Sequence, residues 1–255
     1  MSERVKEVAD AIIQGIRRAL TDTKVTSDEY RAAVTYLKET AENGELPLMI
    51  DVFFNITIVE NENSMHAGTQ SDLQGPYYLP DAPFIEGEIK TMDEFNGKPV
   101  LVRGTVTDTD GSPVADAILD IWQSTPDGKY SGIHDNIPVD YYRGKVRTNA
   151  DGSYEVRTTE PVPYQIPAQG KTGALLRAMG SHTWRPAHIH FKVEKEGFHP
   201  ITLQAYFEGG DYVGDDCCSG KCNEGQNVIP EKFEDGLRVM EVSIVMDRSA
   251  AQAVA

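Results

Sequence analysis

The sequence has little cysteine, few basic residues and no long apolar run. Its 255 residues include three cysteines, an odd number too small for a disulfide framework, which favours a reducing, cytoplasmic compartment. Forty acidic side chains outnumber 24 basic ones, and the net charge of −16 disfavours binding to nucleic acid or anionic membranes. No stretch reaches the roughly 18 apolar residues of a membrane span, and the charged N-terminus lacks a signal-peptide core. We therefore expect a globular, non-membrane protein that acts on a small molecule.

Residues 1–63 are predicted to be a helical region. Apolar residues recur every three or four positions over residues 5–20, and Thr26 to Glu29 form a capping box that starts a second helix near Ser27. Residues 48–59 are rich in β-branched side chains, which suits a strand, but Asp51 and Asn55 lie at helical spacing and we favour a helix. The apolar stripes need a covering surface, either the rest of the chain or a second copy.

From residue 64 to residue 255, short strand-like runs alternate with turn signals. Asp127-Gly128 and Asp151-Gly152 are two of the turns. The predicted strands are residues 100–106, 117–122, 145–148, 154–158, 188–193, 201–207 and 237–246. Many short strands with such turns predict a mainly β fold, either a β-sandwich or a barrel.

His188 and His190 are the sharpest local feature of the β region. Side chains alternate along a strand, so both imidazoles point to one face and can share a metal ion. The alternative is a hydrogen-bonded histidine pair without a metal. Arg185, just before this strand, suits an anionic ligand or a structural salt bridge. From these residues alone, a zinc hydrolase with a carboxylate as third ligand remains an open interpretation.

Two tyrosines and three cysteines add further candidates. Tyr130 follows the Asp127-Gly128 turn, and Tyr164 lies in a proline-rich segment that fixes its backbone, although either can also be a half-buried aromatic. Cys217, Cys218 and Cys222 lie within six residues, which permits a zinc site. No fourth ligand follows at the usual spacing, so reduced thiols in a loop are the favoured interpretation.

Several motifs together resemble the intradiol ring-cleaving dioxygenases. They are Asp120-Ile121-Trp122, Asp127-Gly128-Lys129-Tyr130, Asp151-Gly152-Ser153-Tyr154, Pro163-Tyr164-Gln165-Ile166-Pro167 and Arg185-Pro186-Ala187-His188-Ile189-His190-Phe191. Gln204 follows His190 by fourteen residues, in the order that the family has. Residues 131–136 and 215–218 are most similar to the chlorocatechol-cleaving branch, and the N-terminal helices and residues 74–78 extend the resemblance over nearly the whole chain.

The resemblance implies a cofactor and a reaction. One Fe(III) ion per subunit is bound by Tyr130, Tyr164, His188 and His190, and phenolate oxygens suit such a hard cation. A catechol is cleaved with O2 to a cis,cis-muconate, and both oxygen atoms enter the product. Tyr164 leaves the iron when substrate arrives and serves as a base. Arg185 and Gln204 lie beside the iron, where Arg185 stabilises developing negative charge.

The resemblance also implies a ring pocket and an assembly. The pocket residues are Leu48, Asp51, Val52, Leu73, Pro76, Tyr77, Cys217 and Cys218, and the small Cys218 leaves room for a chlorine substituent. Residues 64–255 form a β-sandwich catalytic domain, and residues 1–63 form a homodimer interface that holds a phospholipid in relatives. The competing hypotheses are a catechol or hydroxyquinol 1,2-dioxygenase and, from another class, a non-catalytic β-sandwich binding module.

Overall fold

The computed structural model describes residues 3–218 and 227–249. The chain divides into two compact units, Met1–Pro47 and Leu48–Ala255. Cys222 lies outside the described residues, so neither interpretation of the three cysteines is tested at that position.

The first unit contains the two predicted amphipathic helices, α1 (Glu3–Asp22) and α2 (Ser27–Glu42). The capping box is confirmed, because Thr26 Oγ accepts a hydrogen bond from the Glu29 backbone and the Glu29 carboxylate accepts one from the Thr26 backbone. Helix α1 buries no residue, and Ile12 and Ile16 remain more than half exposed. Within the described residues, no helix is long and apolar enough to cross a membrane.

A continuous helical stretch covers residues 46–63, and the second unit starts within it at Leu48. This stretch confirms the helix predicted for residues 48–59. It consists of α3 (Leu46–Ile50), a π-helical turn (Asp51–Asn55) and α4 (Ile56–Asn63). A π-helical turn inside a helix often marks a functional site. Here it contains both residues, Asp51 and Asn55, whose spacing indicated a helix.

Twelve strands form three sheets in the described part of the second unit. They are β1 (Pro99–Asp108), β2 (Ile118–Gln123), β3 (Arg143–Arg147), β4 (Ser153–Thr159), β5 (Tyr164–Gln165), β6 (Trp184–Arg185), β7 (His188–Glu194), β8 (Ile201–Phe207), β9 (Val228–Ile229), β10 (Phe233–Glu234), β11 (Leu237–Glu241) and β12 (Ile244–Met246). One sheet has the order β10-β11-β1-β12, with β4 also paired to β1; the second is β3-β2-β7-β8-β9, and β5 pairs with β6. A short helix, α5 (Lys171–Ala178), lies between β5 and β6 and was not predicted.

The predicted strand at residues 237–246 is two strands. Both β11 and β12 run parallel to β1, β11 beside Val100–Arg103 and β12 beside residues 106–108. Between them Val242 donates its backbone N–H to the Arg103 carbonyl and crosses close over Gly104. A Cβ atom at Gly104 would lie 1.8 Å from the Val242 carbonyl oxygen, so the crossing requires glycine there.

One hydrophobic core contains residues from both five-stranded sheets. Leu119, Ile121 and Phe191 come from β2 and β7, and Val102 and Ile244 come from the other sheet. Strands β2, β7 and β8 are nevertheless buried on almost every residue, not only on alternate ones. Their second face must therefore be covered as well, and that face carries the site described next.

Candidate active site

Strand register brings the predicted histidines together with residues from two neighbouring strands. His190 on β7 lies opposite Trp122 on β2 and opposite Gln204 on β8. His188 lies opposite Tyr206. Because side chains alternate, these five residues share the face of the sheet that is turned away from the core residues Ile189 and Phe191.

The two imidazoles of His188 and His190 converge on one point. Their Nε2 atoms are 3.0 Å apart, and both side chains are almost fully buried. His188 Nδ1 lies 2.7 Å from the Pro186 carbonyl oxygen, so Nδ1 carries the proton and Nε2 presents its lone pair. Burial, with a contribution from Arg185, lowers the pKa of His188 to about 3, and burial also lowers the pKa of His190. Both rings are therefore neutral, the form that binds a metal.

The rings of Tyr130 and Tyr164 lie beside this pair. The ring centroids of the two tyrosines are 5.4 Å apart, with Tyr164 5.7 Å from His188 and Tyr130 6.4 Å from His190. Gly128 has a φ of +81° and a Cβ there would lie 3.2 Å from Tyr164 Cβ, so the Asp127-Gly128 turn packs closely against Tyr164. The four predicted ligands, which are separated by up to sixty residues in sequence, thus form one cluster.

The chemistry of this cluster suits a hard, highly charged metal ion. The Tyr130 hydroxyl is buried beside the Tyr164 hydroxyl and makes no hydrogen bond of ordinary length among the described residues, which is costly in a folded protein. Burial raises the pKa of both Tyr130 and Tyr164, so a strong local positive charge is needed to hold either as a phenolate. Two neutral imidazoles and two phenol side chains clustered in this way could provide four ligands for such an ion.

Trp122 and Arg143 hold this cluster in place and were not assigned roles from the sequence. The Trp122 indole stacks on His190, with ring centroids 4.5 Å apart and planes 6° from parallel. Buried Arg143 donates to the hydroxyl and carbonyl oxygens of Ser131, next to Tyr130. The two contacts fix the orientation of one histidine and one tyrosine. Trp122 lies in the Asp120-Ile121-Trp122 motif, whereas Arg143 belongs to no recognisable sequence motif.

Arg185 is the charged centre of a buried hydrogen-bond network. Its guanidinium forms a salt bridge of 2.7 Å with Asp216 and donates a 2.8 Å hydrogen bond to Gln204 Oε1. Gln204 in turn donates to the Leu73 carbonyl oxygen. Burial acts to lower the pKa of Arg185, but the Asp216 carboxylate, together with Tyr164, Cys218 and Tyr206, outweighs burial and raises the pKa well above its usual value. Arg185 therefore forms the structural salt bridge of one sequence interpretation, and it also lines the cavity described below, where its role toward an anionic ligand stays a prediction.

Asp72 is a buried carboxylic acid that sequence reasoning missed. It accepts a hydrogen bond from the Leu73 backbone and lies 3.1 Å from the Tyr206 hydroxyl, whose single proton is shared between Asp72 and Gln204. Burial outweighs these contacts and raises the pKa of Asp72 to about 6. A lone aspartate gives no pattern in a sequence, and its partner Tyr206 is 134 residues away.

Asp72→Asn is expected to remove a pH dependence of stability. Because the folded-state pKa of Asp72 is raised, the wild type loses stability as pH rises from about 4 to about 6, by up to about 3 kcal/mol. An asparagine at this position can keep both contacts, since its oxygen accepts from Leu73 and its amide donates to Tyr206. Urea unfolding between pH 4 and pH 7 should show the variant gaining stability relative to wild type as pH rises. Parallel stability profiles would contradict the assignment.

A cavity of about 430 Å³, counting the part open to solvent, opens beside Tyr164 and Arg185. It is mostly apolar, as small-molecule sites usually are. Seven of the eight predicted pocket residues line it: Leu48, Asp51, Val52, Leu73, Pro76, Tyr77 and Cys218. Asn55, Gly75 and Ile166 also line it and were not predicted.

Cys217 is the predicted pocket residue that does not line the cavity. It is half-buried and packs beside the hydrophobic cluster that contains Val52 and Leu73, with its Sγ 3.4 Å from that of Cys218. The two cysteines lie in a loop, so no strand alternation indicates which one faces the cavity. Tyr130 is also absent from the lining, whereas Tyr164 is present.

Two family descriptions together match almost the whole chain. Residues 73–244 match the family described as "Dioxygenase", and residues 2–70 match "Catechol dioxygenase N terminus". Both matched regions contain residues of the cavity, which connects the sequence family to the site.

Curated relatives match over nearly their full length. A chlorocatechol 1,2-dioxygenase of Pseudomonas putida is 54% identical over 99% of this chain and 96% of its own. A chlorocatechol 1,2-dioxygenase of Cupriavidus pinatubonensis is 51% identical over 99% of this chain and 98% of its own. The crystal structure of chlorocatechol 1,2-dioxygenase from Pseudomonas putida superposes with a TM-score of 0.92, covering 97% of this chain and all of that chain.

Proposed function

The chain belongs to the intradiol ring-cleaving dioxygenase family, and from this membership we propose that it cleaves chlorocatechols with O2 to chloro-cis,cis-muconates. The observation that carries the proposal is the apolar cavity beside the four clustered ligands, in a chain more than half identical to a chlorocatechol 1,2-dioxygenase. Membership of this family makes the chain an oxidoreductase, and it argues against a zinc hydrolase and against a non-catalytic binding module.

The cofactor of this proposal is one Fe(III) ion per chain, held by Tyr130, Tyr164, His188 and His190. Support comes from the neutral histidines, the buried Tyr130 hydroxyl without a hydrogen bond of ordinary length, and the clustering of all four rings in the described structure. When bound, Fe(III) supplies the positive charge that keeps catechol and tyrosine oxygens ionised and the redox centre through which the ring reacts with O2.

Tyr164 is the tyrosine that takes a proton from the substrate. It lines the cavity, whereas Tyr130 does not. A catechol that enters the cavity therefore contacts Tyr164 and not Tyr130. The pKa of this phenol is raised by burial, so a released Tyr164 phenolate is a strong base for a catechol hydroxyl.

Arg185 stabilises the negative charge that the substrate acquires when it loses its protons. Its Nη2 atom is held by Asp216 and Gln204, so the guanidinium is fixed before the substrate arrives. Gln204 is anchored to the Leu73 carbonyl oxygen on the cavity wall and acts by positioning Arg185. Because the guanidinium is already oriented, no substrate-binding energy is needed to orient it.

The remaining parts of the proposal concern architecture. Residues 64–255 form a catalytic β-sandwich in which the two five-stranded sheets pack on their common core. The exposed apolar stripes of α1 and α2 support a homodimer through the N-terminal helices, with a phospholipid bound there. Sedimentation equilibrium should show a dimer, and a protein that remains monomeric at micromolar concentration would exclude this assembly.

Steady-state kinetics on a panel of catechols tests the proposed reaction. Catechol, 3-chloro-, 4-chloro- and 3,5-dichlorocatechol and hydroxyquinol are compared, and each product is identified by mass and NMR. We expect the highest kcat/KM on a chlorocatechol and a product cleaved between the two hydroxyl-bearing carbons. A preference for unsubstituted catechol or hydroxyquinol would assign the enzyme to another branch of the family. Cleavage next to the diol, and not between its two carbons, would contradict the proposed reaction.

Cys218→Leu is expected to reverse the preference for chlorinated substrates. The side chain at 218 lines the cavity and is more than nine-tenths buried, so a larger group takes the space of a ring substituent. We expect kcat/KM for the preferred chlorocatechol to fall by about 10- to 200-fold, and that for catechol to change much less.

The matched control for this experiment is Cys217→Leu. The neighbouring side chain does not line the cavity, so the ratio of chlorocatechol to catechol activity should stay close to that of the wild type. The role of Cys218 in selecting substrate size would be wrong if kcat/KM fell equally on both substrates in the Cys218 variant. It would also be wrong if the control changed the ratio of chlorocatechol to catechol activity by the same amount.

A further inference from the structure

A second cluster of metal-ligating side chains lies on the second unit and shares no residue with the active site. It consists of His66, His199 and Asp247, whose ligand atoms all lie within 4.8 Å of one another. The residues come from three segments, after α4, before β8 and directly after β12. The proposed dioxygenase reaction uses none of them.

Backbone hydrogen bonds hold Asp247 and its carboxylate in place. The Ala67 backbone N–H donates to Asp247 Oδ2 at 3.1 Å, and the His199 backbone N–H donates to the Asp247 carbonyl oxygen at 2.9 Å. His66 Nδ1 lies 3.7 Å from the same carboxylate oxygen. Hydrogen bonds that orient a ligating carboxylate in this way are a usual feature of metal sites.

The two imidazoles lie side by side next to this carboxylate. Their ring centroids are 3.9 Å apart, with planes 35° from parallel. The His66 and Asp247 side chains are about one-third and one-quarter exposed, and the cluster borders a surface cavity, so an ion from solvent can reach it.

We propose that His66, His199 and Asp247 bind one divalent transition-metal ion of the Zn²⁺ class, with water completing the coordination. Two imidazole nitrogens and one carboxylate oxygen suit such an ion and disfavour Mg²⁺ or Ca²⁺, which prefer oxygen ligands alone. Tetrahedral zinc with bonds of about 2.0–2.1 Å places ligand atoms about 3.3 Å apart. The exposed His66 side chain can turn to reach that spacing.

Binding at this site joins three segments that are far apart in sequence. It links the end of the helical stretch at α4 to strands β8 and β12, which belong to different sheets. Because an unfolded chain does not hold the three ligands together, the ion stabilises the folded protein in proportion to its occupancy.

Zinc titration of the iron-loaded enzyme tests this site. Isothermal titration calorimetry should show one Zn²⁺ bound per chain, while iron content and the visible absorption of the active site stay unchanged. His199→Ala and Asp247→Asn should each weaken zinc binding by at least about tenfold. Added zinc should raise the Tm of the wild type and not that of either variant.

His66→Ala and His182→Gln complete the experiment. The His66 side chain is about one-third exposed and lies outside the strands, so its loss should not impair folding and His66→Ala must also lose zinc. His182 lies 3.2 Å from Asp215 but has no second histidine beside it in the described structure, and its variant should bind zinc like the wild type. Absence of zinc binding in the wild type, or equal binding in all variants, would overturn the site.

Discussion

Tyr164→Phe is expected to lower kcat on chlorocatechol by about 100- to 10,000-fold, the range for loss of a positioned acid or base. The substitution removes one oxygen from the side chain that lies between the cavity and the histidine pair. If that oxygen is also an iron ligand, the visible band from tyrosinate-to-Fe(III) charge transfer shifts or weakens in the same variant. Stopped-flow kinetics and absorption spectra measure the two effects on one sample.

Tyr154→Phe is the matched control for this substitution. Tyr154 is also buried, but its hydroxyl donates to the Val242 carbonyl oxygen in the core, outside the cavity. Its variant should lose about 1 kcal/mol of stability and keep its colour and kcat. If Tyr164→Phe retains full turnover, the role of Tyr164 as base is wrong; if it retains the wild-type spectrum, its role as ligand is wrong.

Asp216→Asn is expected to lower the free energy of unfolding by about 3–5 kcal/mol, the usual loss when a buried charge is left without its partner. The guanidinium of Arg185 contacts both carboxylate oxygens of Asp216, and both side chains are buried. The pKa of Asp216 is lowered in the folded protein. Its stabilising effect is therefore present above its unfolded pKa of about 3.9 and is lost as pH falls through the folded value. The deficit of the variant should accordingly shrink in acid.

A double-mutant cycle separates the structural role of Arg185 from its catalytic one. Arg185→Met should reduce kcat by about 100- to 1,000-fold and destabilise the protein, because the buried Asp216 carboxylate then loses the guanidinium that compensates its charge. The double variant Arg185→Met/Asp216→Asn carries neither of these buried charges, so it should recover most of the lost stability and none of the lost turnover. If turnover returns together with stability, Arg185 has a structural role only.

Much of the site could be predicted because its residues leave local signals. Alternation along strand β7 placed His188 and His190 on one face, and the structure has them there with Nε2 atoms 3.0 Å apart. The grouping of Tyr130 and Tyr164 with them rested on the resemblance to a family, since no periodicity relates residues in separate turns. The roles of these four residues as iron ligands remain predictions.

Other features could not be predicted because they depend on contacts between distant segments. Helix α5 spans only eight residues, so its apolar residues are too few to show a helical period. It also has no side-chain cap that would mark its start in the sequence. The split between β11 and β12 follows from the crossing over Gly104, which no property of residues 237–246 indicates. Buried Asp72 depends on a partner in strand β8. In each case the deciding contact joins parts of the chain that sequence patterns cannot pair.

Strand β1 pairs along one edge with two C-terminal strands, β11 and then β12, and this pairing sets an order for assembly during synthesis. Strands β2, β3, β7 and β8, which belong to the sheet that carries the histidine pair, are complete once residue 207 has been made. Strand β1 is made earlier but has only β4 beside it until residues 237–246 follow. One of its edges is therefore open for more than a hundred residues of translation, and open edges invite pairing with other chains. The ribosome-bound chain can thus assemble the sheet that carries the histidine pair while one edge of its other sheet is still unpaired.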